Sequence, residues 1–156
     1  MAMATFGAGC FWGVEEIFRT TEGVSETAVG YTGGTKDQPT YQEVCTGNTG
    51  HAEVVQVQFD PEAISYAALV DIFFDNHNPT QLNMQGPDVG TQYRSVIFFE
   101  DAEQKSIAET KKQELIASGR FKKPIVTLIE PAETFWPAED YHQKYLQKRG
   151  LSSCHI

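Results

Sequence analysis

From His51 to Phe59 apolar and polar positions follow a strand's period and separate two faces. Successive strand side chains point to opposite sides. One face therefore carries His51, Glu53, Val55, Val57 and Phe59, and the other Ala52, Val54, Gln56, Gln58 and Asp60. Glu53 thus lies on a mainly apolar face. Residues Phe11 to Arg19 have a different period: Val14, Ile17 and Phe18 recur at helical spacing and predict a helix. Glu15 and Glu16 sit toward its start and Arg19 at its end, as the helix dipole favours. Thr5 to Ala8 reads as a short strand leading in, with Met1 to Ala4 set aside as a start or cloning remnant. Gly23 closes this unit, Val24 to Tyr31 is a strand, and a Gly- and Thr-rich loop follows.

Further on, Ser65 caps a helix with Leu69, Ile72 and Phe73 on its buried stripe, stopped at Pro79. Asn78 to Tyr93 reads as a long loop, a feature more often functional than idle in a compact domain. Arg94 to Glu100 is apolar on both faces and predicts an interior strand. Asp101 with Gln104 resembles a capping box for a helix running to Ser118 and closed by Gly119. Ile125 to Ile129 predicts another strand. Pro137 opens a last helix, with Glu139 and Asp140 in its first turn and Gly150 just past its end. The order β-α-β-β-α-β-α-β-α embeds a ferredoxin-like β-α-β-β-α-β unit. The expected fold is a two-layer α/β sandwich around a mixed sheet.

With 156 residues, the chain is read as one catalytic domain, 1–156, ending in a mobile tail, 150–156. Its net charge of −9 argues against nucleic acid or an anionic membrane as a partner. Apolar runs such as Val96 to Phe99 are too short to span a bilayer, and no signal peptide is visible. Three cysteines, Cys10, Cys45 and Cys154, form no CxxC pair. That count suits a cytoplasmic protein with working thiols better than a disulfide-stapled or zinc-bound one.

Cys10 stands at a strand-to-helix junction. There the unpaired N–H groups and positive end of the helix dipole favour thiolate. A buried structural cysteine is the plain alternative. The flanking residues weigh against it: Gly9-Cys10-Phe11-Trp12-Gly13 sets two large aromatics beside the thiol, and both cannot easily turn into the core. An apolar box beside a nucleophile suits a small apolar group such as a methyl on sulfur.

At this point the chain resembles the A class of peptide methionine sulfoxide reductases. GCFWG at 9–13, GHAE at 50–53, GTQYRS at 90–95 and AEDYHQKY at 138–145 match that family in order and spacing, across nearly the whole chain. The resemblance implies reduction of methionine-S-sulfoxide, free or in oxidised proteins, by a monomer that needs no metal or organic cofactor. It implies that Cys10 attacks the sulfoxide sulfur while Phe11 and Trp12 hold the S-methyl group. Glu53, with Tyr41 and Tyr93, would hydrogen-bond the oxygen and supply protons. Asp88 and His142 would seat the substrate backbone. Cys154 matches the tail cysteine that forms a disulfide with the nucleophile, which thioredoxin then reduces, and Cys45 matches a position without a catalytic role. Met84 and Pro87 depart from positions that are often polar, which bears on substrate preference.

The residues agree on the acid. A sulfoxide oxygen must be protonated before water can leave. Ionising a thiol completely at pH 7 gains at most about 30-fold in thiolate, whereas a positioned acid contributes about 10²–10⁴-fold. Burial on an apolar face should raise the Glu53 pKa. A Cys-His hydrolase built on Cys10 and His142 is the alternative enzyme, and it leaves Glu53 and Trp12 without a role. A non-catalytic peptide-binding module with an aromatic pocket is the third reading.

Overall fold

The computed structural model describes residues 1–150. Strand β1 (Ala2–Ala8) leads into helix α1 (Phe11–Arg19) and strand β2 (Val24–Thr32). A short helix α2 (Tyr41–Cys45) precedes strand β3 (Ala52–Phe59) and helix α3 (Tyr66–Asp75). The long loop holds a small hairpin, β4 (Met84–Gln85) and β5 (Asp88–Val89), then a 3-10 turn (Thr91–Tyr93). Strand β6 (Ser95–Phe99), helix α4 (Ala102–Ser118), strand β7 (Leu128–Pro131) and strand β8 (Trp136–Pro137) follow. A second 3-10 turn (Asp140–His142) and helix α5 (Tyr145–Lys148) close the described chain.

Six strands form one sheet in the order β7-β6-β1-β3-β2-β8. Within it β3 runs antiparallel to both β1 and β2, and β6 antiparallel to β1. These four strands, β6-β1-β3-β2, are the expected ferredoxin-like core. Parallel pairing of β7 with β6 makes the sheet mixed. Helices α1 and α3 cover one face, where Phe6 of β1 meets Phe18 at 5.0 Å and Phe73 at 5.3 Å between ring centroids. Full burial of one such ring contributes about 1.5–3 kcal/mol. The alternation along β3 places residues as expected. Val55, Val57 and Phe59 join this cluster, while Ala52 and Val54 pack with Val96 and Phe98 on the other face, beneath Ala132 and Phe135.

Four sequence readings need correction. Residues Ala2 to Ala4, set aside above, belong to the sheet: they pair with Val57 to Phe59, and Ala4 is fully buried. The strand expected over 125–129 begins at Leu128 rather than Ile125 and runs to Pro131, because the Val126 N–H is taken by the Pro79 carbonyl. Only half of the Asp101 capping box forms; the Gln104 side chain accepts the Glu100 N–H instead of returning to the cap.

The largest difference is the last helix. Trp136 and Pro137 pair with Tyr31 and Gly30 as an edge strand, and the Ala138 N–H bonds the Val29 carbonyl. Proline is tolerated at such an edge. Only one turn of 3-10 and one of α-helix remain beyond it, separated at Lys144 by a left-handed backbone (φ 52°, ψ 41°). The open hydrogen-bonding edge of β2 outcompeted the local helical signal. Among the described residues no helix is long and apolar enough to cross a membrane.

Candidate active site

The site lies at the end of β1, where Gly9 (φ 95°) turns the chain into α1. That backbone region favours glycine, and it brings Cys10 to the N-cap of the helix. Cys10 is half-buried. The next residue's N–H, on Phe11, donates to Glu53 Oε1 at 3.3 Å. A carboxyl group from the neighbouring strand is thereby fixed at the helix end that carries the thiol.

Glu53 is 1% exposed. Its Oε2 is buried without a hydrogen-bond partner among the described residues. Desolvation pushes its pKa up to about 8, with the Phe11 N–H opposing and the Asp88 carboxylate adding to the rise. Near neutral pH this group is mostly protonated, so it can donate from the oxygen that no described neighbour uses.

Two phenols share this environment. Tyr41 is the first residue of α2, which Thr40 and Glu43 start with a reciprocal capping box. The loop before it is held by His51, whose Nδ1 accepts the Gly34 N–H and whose Nε2 meets the Lys36 carbonyl at 2.6 Å. Tyr93 ends the 3-10 turn before β6. Burial raises the pKa of both. For Tyr41 a hydrogen bond with Cys45 and the Glu53 charge add to it; for Tyr93 the charges of Glu53, Cys45, Asp88 and Cys10 do. Both stay protonated and serve as hydrogen-bond donors. Cys45 lies beside these phenols, and burial raises its pKa, so it stays a thiol at neutral pH. Asp88, half-buried on β5, faces this group closely enough to raise both Glu53 and Tyr93.

The aromatic box divides between the two residues expected to form it. Phe11 is 1% exposed and packs on Tyr31, Tyr41 and His142 at 5.7, 6.3 and 5.2 Å between ring centroids. Trp12 is only partly buried and stacks on Tyr145 at 3.8 Å and 9°. Its indole N–H donates to His142 Nδ1 at 2.9 Å. His142 is fully buried, and desolvation lowers its pKa. It is therefore neutral, with its proton on Nε2, and it packs against Phe11 and Tyr41 while holding the Trp12 indole.

Sequence reasoning missed Glu139. Its carboxylate accepts the Tyr31 hydroxyl at 2.9 Å and the Tyr41 N–H at 3.0 Å, tying the C-terminal segment to α2. Burial works against its charge, but these bonds and one from its own N–H hold it below the usual carboxylate range. Its partners are about a hundred residues away in sequence, and no local pattern encodes such a pair. Cys154, expected as the resolving thiol, and all but the first residue of the expected tail lie outside the described residues. No group of three His, Cys, Asp or Glu side chains among the described residues has the arrangement of a metal site.

The chain and its fold are similar to known proteins. Residues 2–156 match the family described as peptide methionine sulfoxide reductase. The chain is 64% identical over 151 residues to peptide methionine sulfoxide reductase MsrA of Methanoculleus marisnigri, covering 97% of this chain and 92% of that one. Its fold is similar to Mxr1 of Saccharomyces cerevisiae in reduced form, with a TM-score of 0.87 and 40% identity over 99% of this chain and 91% of that one. Mxr1 in complex with Trx2 is also similar, at a TM-score of 0.63 and 25% identity over 99% and 88% of the respective chains.

Proposed function

The chain belongs to the peptide methionine sulfoxide reductase family, and on that premise we propose that it reduces methionine-S-sulfoxide, free or in oxidised proteins, with Cys10 as nucleophile. The observation that carries this reading is the buried Glu53 Oε2, unpartnered among the described residues and held at the helix end where Cys10 sits; its raised pKa makes it an acid near neutral pH. An unpaired buried polar atom costs about 1–3 kcal/mol. A sulfoxide oxygen seated there would remove that cost as it binds.

In the proposed reaction the Cys10 thiolate attacks the substrate sulfur while Glu53 protonates the departing oxygen. Tyr41 and Tyr93 donate hydrogen bonds to the same oxygen. The methyl group rests against Phe11 and Trp12, and Asp88 and His142 complete the seat, His142 by fixing the indole. Attack forms a transient bond between Cys10 sulfur and substrate sulfur. As this bond and the substrate S–O bond break, the protonated oxygen ends on Cys10, so the substrate sulfur gains two electrons and leaves as methionine and the thiol becomes a sulfenic acid. Condensation with the Cys154 thiol forms a disulfide and releases water. The thioredoxin dithiol then takes over the disulfide in two exchange steps. No organic cofactor enters this sequence. Dependence on thioredoxin and on reduced thiols favours a cytoplasmic setting for a single 1–156 domain.

The hydrolase alternative lacks its base. His142 accepts the Trp12 N–H with one ring nitrogen, and the other is buried. Incubation with dithiothreitol and each sulfoxide epimer, followed by methionine detection, tests the proposal. The S-epimer should yield methionine and the R-epimer almost none. Inverting the sulfur sends the oxygen into the aromatic box and the methyl toward Glu53. Comparable rates on both epimers would refute the layout.

A further inference from the structure

Glu15 is a buried carboxylate that the chemistry above does not use. It lies on α1 three residues beyond Trp12, on the same side of the helix, and is 1% exposed. Its Oε1 accepts the main-chain N–H of Lys144 at 2.6 Å, and its Oε2 accepts the Thr27 hydroxyl at 2.8 Å. The Lys144 ammonium stands 3.9 Å from that second oxygen, donates to the Thr27 carbonyl at 2.9 Å and pairs with Glu26 at 2.8 Å. Lys144 is held in a left-handed conformation that a residue with a side chain rarely adopts unaided.

What this pin secures is the reversal between two residues that grip Trp12. His142, two positions before Lys144, accepts the indole N–H at 2.9 Å. Tyr145, one position after, lies flat on the indole face at 3.8 Å. The edge and the face of Trp12 are therefore held by one short segment, and Glu15 fastens that segment to the helix that carries Trp12. A buried charge is a poor source of stability, because desolvation offsets its attractions; such groups are better suited to specifying one arrangement. We propose that Glu15 is a positioning residue that sets the aromatic box for the substrate's S-methyl group by pinning the Lys144 turn to α1. This rests on the proposed sulfoxide reduction and names a determinant of its selectivity for methyl over larger alkyl groups.

The test compares the full-length parent with Glu15→Ala and Glu15→Gln, using dithiothreitol as reductant and the S-epimers of methionine and ethionine sulfoxide as substrates. Glutamine keeps one acceptor oxygen for the Lys144 N–H, and its amide N–H can donate to the Thr27 hydroxyl, which turns to accept, so it should rescue. In Glu15→Ala, KM for methionine sulfoxide should rise about tenfold with kcat within about twofold, the pattern of lost uniform binding. Discrimination against the extra methylene, roughly tenfold or more in a well-formed pocket, should shrink toward unity. Trp12 emission, isolated in a Trp136→Phe background, should change as Tyr145 leaves the indole. Glu15→Asp keeps the charge but withdraws it by one methylene; it covers the case in which alanine does not fold and should move the same ratio. An active parent whose Glu15→Ala and Glu15→Asp forms keep its KM, its methyl preference and its Trp12 emission overturns the proposal. A parent that reduces neither sulfoxide refutes the activity reading instead, and the emission change then decides whether the pin exists.

Discussion

Replacing Glu53 by glutamine separates proton delivery from shape. Glutamine can accept the Phe11 N–H and still donate a hydrogen bond, but it cannot deliver a proton. With its pKa pushed up to about 8, the parent carboxyl is about nine-tenths protonated at pH 7, against roughly 0.2% for an ordinary glutamate. Burial thus multiplies the acid form several hundredfold. Losing a positioned acid should slow the first turnover about 10²–10⁴-fold at pH 7. The assay is rapid mixing of reduced protein with excess methionine-S-sulfoxide, reading methionine release from pH 6 to 10. Thiolate formation at Cys10 enters both proteins alike, so the ratio of their rates isolates Glu53. Above pH 8 the parent's acid form falls about tenfold per unit, so a hundredfold gap at pH 7 should nearly close by pH 10. Stability carries the same signature with a definite sign. The folded pKa lies above the ordinary 4.5, so the contribution is fully present below pH 4.5. It is lost as pH rises through about 8, at about 1.4 kcal/mol per pH unit in between. Glu53→Gln should match the parent in urea at pH 4 and exceed it at pH 9. A rate ratio that stays constant across the pH range, or near-parental turnover of the variant at pH 7, would refute the assignment.

Tyr41→Phe and Tyr93→Phe should each lower the first-turnover rate about tenfold or more, since each removes a donor worth about 1–3 kcal/mol to a buried oxygen; unchanged rates in both would leave the oxygen to Glu53 alone. Cys154→Ser should still release one methionine per chain yet fail to turn over with thioredoxin. In the parent, thiol counting after substrate exposure should find one thiol left of three, mapped to Cys45. Gly34→Ala would drive a Cβ into the backbone nitrogen of His51 and the carbonyl oxygen of Thr49. It should lower Tm by roughly 5 °C or more, and a neutral effect would show that the loop before Tyr41 can shift freely.

Much of this site was legible in the sequence because its parts are local. The α1 boundaries follow from the spacing of Val14, Ile17 and Phe18, and the placement of Glu53 from simple alternation along β3. What escaped was encoded at long range. Glu15 looked like an ordinary acidic residue near a helix start, yet its partner Lys144 is 129 residues away. Glu139 looked like a first-turn residue, yet it serves Tyr31 and Tyr41, 108 and 98 residues back. The last helix was misread for a related reason: its residues carry helical spacing, but β2 offers Trp136 and Pro137 a sheet edge that local propensity does not reveal. Helix α2 is five residues long, too short for a periodic signal, although its Thr40/Glu43 capping box stood in plain view.

Oxygen transfer from the sulfoxide to Cys10 is exposed in reduced Cys154→Ser, where the sulfenic acid has no tail thiol to consume it. The protein is exposed to methionine-S-sulfoxide without reductant, in the presence of a sulfenic-acid trap, and digested for peptide mapping. One methionine should be released per chain and one trap adduct should form, on Cys10, with both products lost in Cys10→Ser. Methionine release accompanied by an adduct on Cys45, or undiminished in Cys10→Ser, would contradict transfer to Cys10.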